Sequence, residues 1–142
     1  MLSLIGEVWA MSKPVDVGSL KEGSYVLVDD EPCRIVETTK SKPGKHGSAK
    51  LRVVAMGVFD DVKRSFVKPV DAKADVPLIE KKSAQVLATL PNSVQLMDLE
   101  SYEVLEAPFP EDANLKSQLT AGSEVEYWRI LGRMKIVRSK GR

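Results

Sequence analysis

The chain has 142 residues, 43% hydrophobic and 29% charged, with a formal net charge of +1. This composition is that of a folded globular protein and excludes a disordered one, while near neutrality gives no overall attraction to a polyanion. A single cysteine excludes an intrachain disulfide, and no apolar run reaches the roughly 20 residues that a membrane-spanning helix needs. We expect one ordinary domain or two small ones, in the reducing cytoplasm.

Residues 1–12 are predicted to be an N-terminal extension that needs no fixed structure. Met1 to Ala10 are mostly apolar, but they lack the basic start and the small-residue cleavage pattern of a signal peptide. A second methionine, Met11, follows them. We therefore expect translation to begin at Met11.

Short runs rich in β-branched and aromatic residues follow the extension. They are separated by two Asp-Asp pairs and by one polar loop, and they lie at residues 25–28, 34–39, 51–59 and 64–67. Four or five strands within about 50 residues, joined by short turns, predict a small antiparallel barrel. Cys33 lies between Pro32 and Arg34 in this region, where we expect a small buried hydrophobe and not a reactive thiol.

A polar stretch at residues 71–75, followed by Val76 and Pro77, is the predicted linker. It divides the chain into domains at 13–74 and 75–142. Strand-like runs then resume, and one helix-like segment, residues 110–119, stands between the third run and the last pair. This order predicts an OB-like barrel, so the fold class is mainly all-β with one short helix.

Two stretches of opposite charge lie in the second half. Ser83 to Leu115 contains six acids and no Lys or Arg, whereas Arg129 to Arg142 contains six cations and no acid. Such segregation produces local fields in a nearly neutral protein. Two interpretations stay open: solvated faces of no further consequence, or surfaces for different partners.

Residues 38–50 form a basic loop with two glycines. They include four lysines and the only histidine of the chain, and no carboxylate occurs from Thr38 through Phe59. Pro43 fixes its own φ and the glycines accept positive φ, so a sharp reversal around Lys45 is inexpensive. The candidate RNA-contacting residues are Lys40, Lys42, Gly44, Lys45, His46, Gly47 and Lys50. From spacing alone, an ordinary solvated hairpin tip and an RNA contact both remain open.

Catalytic and metal sites have little support in the sequence. One histidine and one cysteine, each without a partner, cannot assemble a structural zinc site. His46, between Lys45 and Gly47, is placed for solvation and not for a buried triad. Gly44-Lys45 fails as a phosphate-binding loop, because Thr39 replaces its first glycine and His46 replaces the Ser or Thr that binds magnesium. We expect no enzyme activity, no metal and no bound cofactor.

Residues 41–50, Ser-Lys-Pro-Gly-Lys-His-Gly-Ser-Ala-Lys, resemble the hypusine loop of the translation initiation factor 5A family. Segments at 23–26, 32–37 and 75–77 are similar to the family as well, and the resemblance covers about residues 13–138. Pro43 and Ser48 stand where the common eukaryotic pattern has Thr and His, which indicates the archaeal type. Bacterial elongation factor P is a relative that normally has a third domain.

The resemblance implies an SH3-like barrel followed by an OB fold. It implies that deoxyhypusine synthase transfers an aminobutyl group from spermidine to Lys45, giving deoxyhypusine or hypusine, with Lys42 and Lys50 helping the synthase to dock. It further implies binding to ribosomal RNA in the exit site, beside the peptidyl-transferase centre, where Lys45 approaches peptidyl-tRNA and promotes peptide-bond formation at stalls such as proline runs.

A rival hypothesis is a general RNA-binding or RNA-chaperone module that acts through unmodified loop charge. In either case two closed barrels leave few unpaired strand edges, so we expect a monomer. We also expect no membrane partner, because no apolar run is long enough to span a bilayer.

Overall fold

The computed structural model describes residues 11–42, 47 and 49–141 of the chain. The chain divides into two compact units, the first ending at Leu78 and the second beginning at Ile79. Both are built from antiparallel strands, and the described residues contain one short α-helix. No helix in these described ranges is long and apolar enough to cross a membrane.

The first unit has six strands. They are β1 (Ser12–Asp16), β2 (Tyr25–Val28), β3 (Glu31–Ser41), β4 (Lys50–Gly57), β5 (Lys63–Pro69) and β6 (Lys73–Pro77), with a 3-10 turn at Val17–Ser19 after β1. Strands β2-β3-β4-β5 form one sheet in that order, and β1 pairs with β6 in a second. Asp29 and Asp30 join β2 to β3 with φ values of 51° and 64°, the positive φ that a tight two-residue hairpin requires.

The core of the first unit lies between these sheets and the 3-10 turn. Its buried residues are Val17, Leu20, Val26, Val28, Cys33, Ile35, Leu51, Val53, Ala55 and Ala74. The Cys33 thiol is fully buried and donates to the carbonyl oxygen of Glu31 at 3.3 Å. Burial raises the pKa of this thiol, an effect that Arg64 partly offsets. Cys33 is therefore the buried hydrophobe that the sequence predicts.

The predicted linker at residues 71–75 is wrong, because residues 73–77 form β6. Lys73 pairs with Asp16 and Pro77 with Ser12 in the ladder between β6 and β1, and Ala74 is buried. The unit boundary follows Leu78 and not residue 74. Strand β1 begins at Ser12, so the predicted extension, residues 1–12, overlaps the first strand by one residue. Residues 1–10 lie outside the described part of the chain.

The second unit is a five-stranded sheet with one helix. Its elements are β7 (Ile79–Thr89), β8 (Ser93–Asp98), β9 (Val104–Pro108), α1 (Ala113–Ser117), β10 (Glu124–Ile130) and β11 (Arg133–Gly141). The sheet order is β11-β10-β7-β8-β9. The helix lies between the third and fourth strands of the unit, as the sequence predicts, although it is shorter than residues 110–119. The Asp112 carboxylate caps it by accepting hydrogen bonds from two backbone N–H groups.

The core of the second unit contains one polar pair among apolar side chains. The apolar members are Ala84, Val86, Val94, Leu96, Leu105, Ala107, Leu119, Val125 and Ile136. The fully buried Tyr127 donates its hydroxyl to the carboxylate of Asp98, which is only 1% exposed. Asp98 is therefore buried, although the acidic residues near it in sequence suggest a solvated face.

Candidate nucleic-acid interface

The hairpin of β3 and β4 carries the predicted basic loop. Its ladder runs from Cys33 opposite Gly57 to Ser41 opposite Lys50. Leu51 and Val53 on β4 are buried in the core and fix this strand. The pairing of β3 with β4 continues as far as Ser41 and Lys50, so the loop begins and ends at paired strand residues.

Four of the predicted contact residues lie in the described part of the hairpin. Lys40 is near the end of β3 and Lys50 begins β4, while Lys42 and Gly47 lie beyond the last pair; all four are exposed. Gly44, Lys45 and His46 lie outside the described residues, so their placement at the tip stays a prediction.

The descending arm of the loop is tied to the segment after β5. Val70 donates its N–H to the carbonyl oxygen of Ala49 at 3.0 Å, and Gly18 donates to the carbonyl oxygen of Val70 at 2.9 Å. A Cβ at Gly18 would lie 3.0 Å from Cβ of Val70, closer than ordinary van der Waals contact. Glycine therefore suits this position, because any larger residue would force Val70 to shift at the base of the loop.

Strand register brings two further cations to this end of the sheet. Lys40 is opposite Leu51, and Leu51 is opposite Lys68 of β5, so the three residues form one row across three strands. Neighbouring strands are about 4.8 Å apart, which places Lys68 about 10 Å from Lys40. Arg52, the next residue of β4, is exposed on the opposite face of the same sheet.

Sequence reasoning missed Arg52 and Lys68, because pairing register cannot be read from one sequence. The signal that could have found them is weak: a basic residue near the end of each strand that neighbours the loop. The Lys68 ammonium also lies 5.3 Å from the ring centroid of Phe66, two residues earlier on β5, and Lys68 lines a pocket with Asp29 and Asp30.

Charge is distributed unevenly along the β3-β4-β5 sheet. At the loop end, no carboxylate of the described residues forms an ion pair with Lys40, Lys42 or Lys50. At the opposite end, the Arg64 guanidinium binds both carboxylate oxygens of Asp60, at 3.1 and 2.9 Å. The hydrogen bonds from Arg64 are the main reason why the pKa of Asp60 falls to about 2. Among the described residues, the loop end thus holds cations with no ion-pair partner, whereas Arg64 at the opposite end is neutralised by Asp60.

The fold and this site define a class of protein: a two-barrel β protein in which the first barrel presents a cationic hairpin. Residues 10–72 match the family described as translation initiation factor 5A-like, N-terminal. Residues 78–140 match the family described as eukaryotic elongation factor 5A hypusine, DNA-binding OB fold.

Individual relatives agree with these matches. The chain is 56% identical over 124 residues to translation initiation factor 5A of Korarchaeum cryptofilum, covering 87% of this chain and 92% of that protein. It is 58% identical over 125 residues to the Methanopyrus kandleri protein of the same name, covering 88% and 92% of the two chains. A solved structure of eukaryotic translation initiation factor 5A from Methanococcus jannaschii superimposes with a TM-score of 0.83 at 50% identity, over 90% of this chain and 94% of that one.

The chain belongs to the translation initiation factor 5A family. The fold prediction is confirmed: the protein is mainly all-β, with an SH3-like first barrel and an OB-fold second barrel that carries one short helix. The resemblance to the archaeal type is confirmed by the archaeal relatives.

Proposed function

We propose that this protein is a non-enzymatic translation factor that acts through a modified Lys45. It binds ribosomal RNA near the peptidyl-transferase centre, in the exit site, and positions peptidyl-tRNA for peptide-bond formation at stalls such as proline runs. Membership of a family whose description names hypusine supports the modification. The single observation that carries RNA contact is the end of the β3–β4 hairpin, where exposed cations face no carboxylate of the described residues.

Modification gives one lysine a reach that its neighbours lack. Deoxyhypusine synthase transfers the aminobutyl part of spermidine to Nζ of Lys45; the new C–N bond replaces the one to the aminopropyl part, which leaves as 1,3-diaminopropane. The product is longer than lysine and carries a second amine. One side chain can then donate hydrogen bonds to several phosphate or sugar oxygens.

The other cations of the hairpin hold the nucleic-acid backbone. Lys40, Lys42 and Lys50, with Arg52 and Lys68 beside them, neutralise phosphates and fix the register of the protein on RNA. Gly44, His46 and Gly47 shape the tip. The chemistry belongs to ribosomal RNA, and the protein contributes orientation of the reacting tRNA. Lys42 and Lys50 also help the synthase to bind the loop.

No Asp or Glu occurs from Thr38 through Phe59. This charge pattern equally favours a second function, a general RNA-binding or RNA-chaperone module that uses loop charge alone. In that case unmodified protein binds and acts as well as modified protein, and its affinity falls steeply with salt. No single lysine is then essential.

Peptide mass spectrometry of Lys45 in protein from the natural host tests the proposal. We expect a spermidine-derived aminobutyl group on Lys45 and unmodified side chains at Lys42 and Lys50, which serve as internal controls. An unmodified Lys45 would overturn the proposal and leave the general RNA-binding module.

A further inference from the structure

The large apolar side chains that the second barrel exposes lie on or beside three neighbouring strands. Among the described residues of this barrel they are Leu87, Tyr102 and Val104, which are 37%, 70% and 54% exposed. Leu87 belongs to β7, Val104 to β9, and Tyr102 to the turn that joins β8 to β9. Single exposed apolar residues are ordinary on a protein surface, whereas a group of them indicates a contact site.

Strand pairing places these side chains near one another on the outer surface of the sheet. Val104 lies directly opposite the half-buried Met97 of β8, and opposite residues of antiparallel strands share a face. Leu87 is the extra residue of a bulge in β7, next to Gln95 of β8. Gln95 and Met97 are two positions apart, so they lie on the same side of β8. We call this outer surface the β8–β9 face; it comprises Leu87, Gln95, Met97, Val104 and Glu106, with Tyr102 at its end.

Tyr102 has a backbone conformation that is costly for a bulky residue. Its φ is 61°, a region that Gly and Asn adopt readily. The turn imposes this conformation: Tyr102 donates its N–H to the carbonyl oxygen of Asp98 at 2.8 Å, and the Asp98 carboxylate accepts the N–H groups of Glu100 and Ser101. The ring nevertheless stays exposed and belongs to neither core. A tyrosine that strains the turn without packing inside the fold is typical of a residue that contacts another molecule.

The β8–β9 face is also acidic. No Lys or Arg occurs from Ser83 through Leu115. Glu106 lies two residues after Val104, on the same side of β9, and Glu100 lies in the turn with Tyr102. In the described part of the chain, no Lys or Arg forms an ion pair with Glu100 or Glu106, although Arg129 pairs with Glu103 at 3.7 Å. Two exposed carboxylates therefore flank the apolar side chains.

This charge disfavours RNA as the occupant of the face. In OB folds the second and third strands of the barrel usually bind oligonucleotides, and these strands are β8 and β9 in this protein. Carboxylates repel phosphates, and the face offers no cation to a nucleic-acid backbone. A positively charged occupant with apolar side chains satisfies both properties of the surface.

We propose that the β8–β9 face binds a polypeptide segment rich in Lys and Arg, which packs an apolar side chain against Met97, Tyr102 and Val104. Cations of the segment pair with Glu100 and Glu106 around this contact, so that an apolar centre is bordered by charge. The proposed function concerns Lys45, which belongs to the first unit and takes no part in this contact. Failure of either proposal therefore leaves the other standing.

A synthetic peptide tests the face in the full-length, unmodified protein. The probe has about eight residues, with a central Leu-Phe pair between Lys and Arg residues; its control has Ser-Ser in place of Leu-Phe. We expect saturable changes in the backbone amide NMR signals of residues 95–106 with the probe, and at least tenfold weaker binding of the control. Changes confined to other residues, no changes, or equal binding of the two peptides would overturn the proposal.

Variants of the face provide the second measurement, which is peptide affinity by fluorescence anisotropy. Tyr102→Asn removes the ring but suits the positive φ, and it should weaken binding about tenfold. Val104→Ser should weaken binding about fivefold. Val67→Ser is the matched control and should leave affinity unchanged, because Val67 is a similarly exposed strand valine, 57%, in the first barrel.

The charge of the face is tested in the same assay. Glu106→Gln should reduce the dependence of peptide affinity on salt, since one ion pair is lost. Glu37→Gln, at an exposed position on β3 of the first barrel, makes the same change of charge and should leave the salt dependence unaltered. Equal salt dependence in the two variants would contradict the proposed ion pairs.

Three further outcomes would contradict the proposal. The first is unchanged affinity in both Tyr102→Asn and Val104→Ser, with their fold verified by circular dichroism. The second is an oligouridylate that shifts the signals of residues 95–106, which would assign the face to RNA. The third is self-association of the parent chain in sedimentation that Tyr102→Asn abolishes, which would assign it to a second copy. The NMR mapping uses the parent protein and remains decisive if a variant fails to fold.

Discussion

Tyr127 donates its phenolic hydrogen to the carboxylate of Asp98 at 2.5 Å, and both residues are buried in the second barrel. The same carboxylate accepts the backbone N–H groups of Glu100 and Ser101, each at 2.8 Å. One charged side chain thus joins the end of β8, the loop to β9 and the centre of β10. A buried carboxylate is tolerated because its hydrogen bonds replace those of water.

Removal of this carboxylate should destabilise the second barrel. Asp98→Ala leaves the Tyr127 hydroxyl and two backbone N–H groups without their acceptor, which we expect to lower the free energy of unfolding by about 3 kcal/mol. Chemical denaturation measures this loss. Asp112→Ala is the control, since it removes a carboxylate that also accepts two backbone N–H groups but lies exposed at the start of α1. It should cost about 1 kcal/mol. Equal losses for the two variants would contradict this account of the buried pair.

The stability of the second barrel should also depend on acid pH through Asp98. Burial alone would raise the pKa of this carboxyl, but the hydrogen bonds from Tyr127, Ser101 and Glu100 outweigh burial and lower it from 3.8 to about 2. A lowered pKa means that the stabilisation is complete above about pH 4 and is lost as the pH falls towards 2, by about 2 kcal/mol in total.

Comparison with Asp98→Asn isolates this pH effect. The difference in unfolding free energy between the parent and this variant should shrink as the pH falls through that window. The pKa of Asp60 in the first barrel is also lowered, so the measurement must report the second barrel alone. Trp128 emission in a full-length Trp9→Phe chain does this, because Trp128 is then the only tryptophan and belongs to β10. A difference that stays constant from pH 5 to pH 2 would show that Asp98 is not the titrating group.

Lys68 should contribute to RNA binding at the hairpin although it lies outside the loop. It shares a row with Lys40 and Leu51, whereas Lys63 begins the same strand at the opposite end of the sheet. Lys68→Gln should reduce the salt slope of RNA binding by about 0.7, because one phosphate contact is lost. Lys63→Gln makes the same change of charge and should leave the slope unaltered. Identical salt slopes for the two variants would show that Lys68 makes no contact with RNA.

Much of this architecture could be predicted from local pattern. Short β-branched runs with Asp-Asp turns predict the strands, and a helix-like segment between the third run and the last pair predicts the OB order of the second barrel. The basic loop is visible for a similar reason, since its lysines and glycines are contiguous. These features depend on residues close together in sequence.

Features that depend on distant pairing could not be predicted. β1 contains Pro14 and few apolar residues, and it becomes a strand only by pairing with β6, where Lys73 also forms an ion pair with Asp16. Asp98 resembles its solvated acidic neighbours until Tyr127 comes into contact with it. Lys81 and Lys135 are likewise brought to Trp128 by the register of three strands. Composition carries no information about such partners.

The central claim concerns Lys45, and its most direct test is Lys45→Arg in the natural host. Arginine keeps the positive charge but cannot accept the aminobutyl group. With the variant as the sole copy, we expect synthesis of a reporter with consecutive prolines to fail, while a matched reporter without prolines is made normally. Lys50→Arg, an equal change on the same loop, should support both reporters. Normal synthesis through the proline run by the Lys45→Arg protein would contradict the account.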